Sequence, residues 1–208
     1  MDELDQALRE IAAIRGHMAR ATEFRGYGAA ALAATGALAA AAAWLQPCWV
    51  PHPVRTPGRY VGLWSAVAAL AAALIAAEAV ARARRVHQGL ANEMIQAALG
   101  QFLPAAVAGL LLTAVLLRRD AGSASLLPGL WQLIFSLGVF ATCPTLPRPV
   151  LAVGIWYLAT GLYCLAAAPR ALAPGMMGIP FCIGQVLAAA ILWRTSRAEP
   201  PPELRDES

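Results

Sequence analysis

His87 and Glu93 stand six residues apart, just after the arginines Arg82, Arg84 and Arg85. An imidazole and a carboxylate that close can act as an acid–base pair, and guanidinium groups hold phosphate through paired N–H donors. With Asn92 and Gln101, these are the most densely clustered reactive side chains of the sequence. They suit chemistry on a lipid-linked phosphate or a lipid headgroup. The spacing matches neither the H-E-x-x-H zinc pattern nor a nucleophile elbow. Arginines at the edge of an apolar segment also do something simpler, which is to fix that segment's orientation in a membrane. On that view Arg82, Arg84, Arg85, His87 and Glu93 form a contact surface, and the rest of the chain favours it.

A second group is uncharged. Gln132, Tyr157 and Gln185 interrupt long apolar runs and are costly to leave unpaired in hydrocarbon. They either bond neighbouring helices to one another or line a site for a small, weakly polar solute. The run around Gln185 also contains Gly175, Gly178, Pro180 and Gly184, a softened helix of the kind that forms broken-helix binding sites. The absent residue types narrow the chemistry further. All sixteen basic residues are arginine, so there is no lysine for a Schiff base or a phosphate-binding loop. No Asp, Glu, His, Lys or Arg falls near the middle of an apolar run, where proton relays and haem ligands would sit. Glu78 comes nearest, and Arg82 four residues on offers it an ion pair. No catalytic residue, cofactor or metal is expected.

The elements that carry these residues are set by hydropathy. Apolar residues make up 59% of the 208-residue chain and charged residues 13%, about half the soluble norm of roughly 25%. The apolar residues gather in stretches at 27–50, 60–81, 102–117, 126–143, 150–168 and 176–193. A bilayer core takes about 20 residues of helix, and backbone groups in lipid must pair within their own segment. The spacing predicts an all-α polytopic membrane bundle of six transmembrane helices. The third stretch is short, but a helical stripe through Met94, Ile95, Ala98 and Phe102 predicts one helix that enters from the surface, kinks at Pro104 and continues as the third span. Alanines four apart at Ala29, Ala33, Ala37 and Ala41 predict close helix packing, as do Ala105 with Gly109 and Gly154 with Gly161. Tyr60, Trp64, Trp131 and Trp156 suit aromatic belts at headgroup level.

Charge sets the orientation. Eleven arginines fall on one side of these spans and five, Arg55, Arg59, Arg118, Arg119 and Arg170, on the other. The positive-inside rule then places both termini in the cytosol of a bacterial inner membrane. The chain opens Met-Asp-Glu-Leu-Asp, unlike a signal peptide. Of the four cysteines, Cys48, Cys164 and Cys182 would share the outer side with room for one disulfide, whose partners spacing cannot assign. Cys143 falls on the inner side, and small buried hydrophobes are the plain alternative for all four.

Residues 2–24 carry an apolar seam, with Leu4, Ile11 and Met18 at one heptad position and Ala7, Ile14 and Ala21 at the next. It predicts a cytosolic amphipathic helix that docks on a partner helix, on the membrane surface, or on the bundle itself. The tail beyond 194 is polar and proline-rich, and is expected to be disordered. The run Ile14-Arg15-x-x-Met18-x-Arg20-Ala21-Thr22-x-Phe24-Arg25-Gly26-Tyr27-Gly28, leading straight into an apolar span, resembles the opening of an uncharacterised group of small bacterial membrane proteins. Those proteins have an N-terminal amphipathic helix and about six spans, and are often encoded beside winged-helix regulators. The resemblance implies a regulatory cytosolic partner and transfers no catalytic residue. The expected partners are therefore the lipid bilayer, further copies of the chain and a soluble cytosolic protein, without direct nucleic-acid binding.

Overall fold

The computed structural model describes residues 28–86, 88–119, 122–142, 148–167 and 170–197; side chains at 82–86, 88–99, 101–102 and 196–197 are outside that description. The heptad segment, His87, Cys143 and the tail from 198 also fall outside it. Every long element among the described residues is helical. The six helices are α1 (Ala29–Trp49), α2 (Pro57–Val86), α3 (Gln88–Arg119), α4 (Leu127–Thr142), α5 (Leu151–Ala166) and α6 (Pro174–Arg197). The third apolar stretch indeed belongs to a longer helix, and Pro104 lies inside it.

Five segments are long and apolar enough to cross a bilayer: Ala29–Trp49, Pro57–Ala81, Gly122–Thr142, Arg148–Ala166 and Pro174–Thr195. The protein is thus a multi-pass membrane protein by length and composition. Two of the spans need help. The helices α4 and α5 have only 16 residues each, and 3-10 turns at Gly122–Leu126 and Arg148–Val150 extend them. The tighter turn rises about 2 Å per residue instead of 1.5 Å, so each added residue gains more length.

Each helix packs on its neighbours along the chain, and α6 returns onto α1 to close a ring. Neighbours are antiparallel, as the facing pairs Gln46–Trp64, Gly154–Phe140 and Gly178–Ala43 show. Gly28 and Arg197 consequently lie at the same end of the bundle. The most extensive interface is α1 with α6. A Cβ on Gly36 would come within 3.1 Å of the Cys182 carbonyl, and one on Gly178 would collide with Ala43. Only hydrogen fits between backbones at these crossings, which is how helices gain dispersion contacts in lipid. The interface uses Gly36, Ala39 and Ala43 of α1. The expected stripe is not used within the protomer: Ala33, Ala37 and Ala41 are exposed. In α3 nothing lies within 4 Å of a Cβ on Gly109, so no tight crossing forms there. In α5 the expectation holds, with Gly154 against the Phe140 ring and Gly161 against the Gly129 carbonyl.

Two apolar clusters fill the ring. Ala42, Val50, Tyr60, Trp64, Leu172 and Met177 form one at the end where the 50–57 connection lies. Val139, Val150, Val153 and Tyr157 form the other, between α4, α5 and α6. The span in α2 is the outlier: 11% of it is buried, against 33 to 44% in the other four.

Candidate functional site

The polar groups of the interior hold helices together. Pro180 has no N–H, so it cannot pair with the carbonyl of Met176 four residues earlier. Gln132, fully buried on α4, donates its Nε2 to that oxygen at 2.9 Å. The same amide nitrogen approaches the Met177 sulfur at 3.8 Å. A helix defect made by proline is thus repaired from the neighbouring helix, as a bilayer interior requires when water is excluded.

At the 50–57 end, Gln46 does a similar job with both ends of its amide. Its Nε2 donates to the Leu172 carbonyl at 2.8 Å, in the connection between α5 and α6. Its Oε1 accepts from Trp64 Nε1 at 3.0 Å, on α2. One buried side chain therefore ties α1 to α2 and to the α5–α6 connection. Gln46 was not singled out from the sequence. Its signal was present, since it is an amide inside an apolar run next to Pro47.

The tryptophans overturn an expectation. Trp64 is buried, and Trp131 and Trp156 are partly so. Their indole N–H groups bond across helices: Trp131 to Thr113 Oγ1 at 2.8 Å, and Trp156 to the Pro180 carbonyl at 2.9 Å. Tyr60 is wholly buried. The three tryptophans face inward because an acceptor on the adjacent helix meets each indole, which satisfies the polar end without headgroups. Exposed Trp44, Trp49, Tyr163 and Trp193 occupy the outer surface instead.

The expected polar site divides into two levels. Tyr157 is fully buried, with its ring on Gly184, edge-on to Phe135 and tilted against Phe181. Its hydroxyl faces the Gln185 side chain without closing a hydrogen bond. Gln132 bonds at Met176, nine residues before Gln185, which is about 13 Å along a helix axis. Tyr157 and Gln185 are therefore brought together, and Gln132 works at another height. Among the described residues three buried oxygen atoms have no hydrogen-bond partner: Tyr60 Oη, Tyr157 Oη and Gln132 Oε1.

Glu78 abuts Gly28 at the start of α1, so closely that a Cβ on Gly28 would occupy the same space as the carboxylate. A carboxylate at a helix N-terminus is favoured by the unpaired N–H groups and the positive end of the helix dipole. The other half of the expected Glu78–Arg82 pair lies outside the described side chains, as do those of Arg84, Arg85 and Glu93, and His87 entirely. Leu4, Ile11, Ile14 and Met18 are likewise outside the described residues. Cys48, Cys164 and Cys182 are free thiols, so the disulfide envisaged among them does not form. Among the described residues no three His, Cys, Asp or Glu side chains gather as metal ligands would.

No protein-family model matches the chain, and no curated protein or solved structure matches it either.

Proposed function

We propose that this is a non-catalytic, six-span protein of the bacterial inner membrane that assembles with its own copies through α2. Its cytosolic segments 2–25 and 82–101 then receive a soluble regulatory partner. The observation that carries the reading is the open face of α2. Gly58, Gly62, Ser65, Ala66, Ala69 and Ala73 are all exposed there. Nothing lies within 4 Å of a Cβ on Gly58 or Gly62. Leu70 and Leu74 interrupt that face further along α2, whereas on α3 Leu103, Val107, Leu110, Leu111 and Val115 are all exposed. Large side chains suit lipid tails, whereas small residues four apart suit the backbone of another helix.

The interior supports a holding role over a conducting one. Passage of a small solute calls for Gln132, Tyr157 and Gln185 along one path, and Gln132 already spends its amide on Met176. The soluble partner is supported by the heptad seam of Leu4, Ile11, Ile14 and Met18 and by the arginine-rich turn.

Gly62→Leu tests the assembly. The protomer has space for the side chain, so the fold should survive while stoichiometry falls. Stepwise photobleaching of labelled protein in liposomes should give oligomers for the wild type and monomers for Gly62→Leu. Removing residues 2–22 should leave the oligomer intact. A monomeric wild type, an unaffected variant, or dissociation on removing 2–22 each counts against α2 as the seam.

A further inference from the structure

An open cleft of about 310 Å3 lies where α1 ends and α6 begins. Pro47, Val50 and Val54 wall it on one side, Leu172 and Pro174 on the other, and Arg170 is the one charged residue that lines it. Gln46 forms a fixed floor, because its amide is bonded to both Leu172 and Trp64. Arg170 is exposed, and among the described residues no hydrogen bond or ion pair engages its guanidinium.

The two connections that frame the cleft contain no acidic residue. No Asp or Glu occurs anywhere in 29–77 or in 121–198, the stretches that contain both connections framing it. Arg55 follows directly on Val54. An arginine beside the end of α1 would ordinarily cap the last carbonyls of that helix. Here it does not, and it is left at the mouth of an apolar cleft with no counter-ion built into the adjoining chain. The complement to such a place is an anion attached to an apolar body. The cleft also sits at the ends of two membrane-length helices, where lipid headgroups lie.

We propose that this cleft seats an anionic phospholipid of the adjoining leaflet, with its phosphate on Arg170 and its glycerol region against Val50, Val54 and Leu172. Guanidinium and phosphate pair through two parallel N–H donors, which fixes orientation as well as charge. The volume is at the lower end for a small-molecule site, enough for a headgroup, while the acyl chains stay in surrounding lipid. A soluble phosphate would leave the apolar walls uncovered, so the lipid is the occupant that uses both features.

Native mass spectrometry of the full chain released from detergent provides the test. Dioleoyl phosphatidylglycerol should be retained and dioleoyl phosphatidylcholine should not. Arg170→Gln should cut retention of phosphatidylglycerol about tenfold, the loss of one charge-assisted contact. Ala173→Trp, which fills the cleft without touching the charge, should also cut it. Arg194→Gln at the opposite end should leave it unchanged. Equal retention of both lipids overturns the proposal, as does phosphatidylglycerol binding that survives Arg170→Gln or Ala173→Trp. Displacement of the lipid by millimolar glycerol 3-phosphate overturns it too, by making the site one for free phosphate.

Discussion

Pro180 and Gln132 form a matched pair of residues on different helices. The proline frees a carbonyl, and the glutamine answers it. In a soluble protein water would take the glutamine's place; in a bilayer it cannot. Gln132→Leu should therefore destabilise the folded protein by about 1–2 kcal/mol, the range of an interhelical hydrogen bond whose loss orphans a buried group. In a Pro180→Ala background the restored N–H pairs with Met176 inside the helix, and the same glutamine substitution should cost much less. Thermal unfolding of the four proteins in one detergent measures the coupling, and equal costs in both backgrounds would show that the two residues act independently. The expense of Gln132 in hydrocarbon was legible in the sequence, and so was Pro180. What joined them was not, because pairing depends on which helices lie side by side.

Faces were harder to recognise than helices. Six apolar stretches gave the positions of six helices to within a few residues in most cases, and the surface entry to α3 showed in its stripe. The alanine stripe of α1 is not the face that packs within the protomer. The physical cause is that lipid is as apolar as the interior, so hydropathy no longer separates an inward face from an outward one. Alanine occupies both faces of α1, and only the partner glycine, Gly178, decides which is used. The tryptophans were misplaced for a related reason, since an indole is equally satisfied by headgroups or by Gln46 and Thr113. The paired glycines were easier, because Gly154 and Gly161 had no comparable alternative on α5. At the α4–α5 crossing, Gly161→Leu should push the helices apart, since a Cβ there already comes within 3.1 Å of the Gln132 side chain and the Leu133 nitrogen. A loss of about 2 kcal/mol or more is expected from such overpacking. Hydrogen exchange should rise in α4 and α5 ahead of α1 and α6. Exchange that rises evenly over all helices would mean the crossing is not a local seam.

Across the molecule, six successive antiparallel helices among the described residues place Gly28 and Arg197 at the same end. Reporters fused before Met1 and after Ser208 should therefore report the same compartment, which is the cytosol in the orientation proposed from the arginine bias. Opposite compartments for the two reporters would break either the ring or the reading of its spans. The ring is uneven in its grip. Its α1–α6 and α4–α5 sides are tight, whereas α2 touches the rest chiefly near Tyr60 and Trp64 and at Glu78. That last contact joins the loosest helix to the very residue at which the N-terminal segment enters the bundle. Removing the Glu78 carboxylate therefore acts on two helices at once, stripping the start of α1 of its anion and α2 of one of its few holds on the bundle.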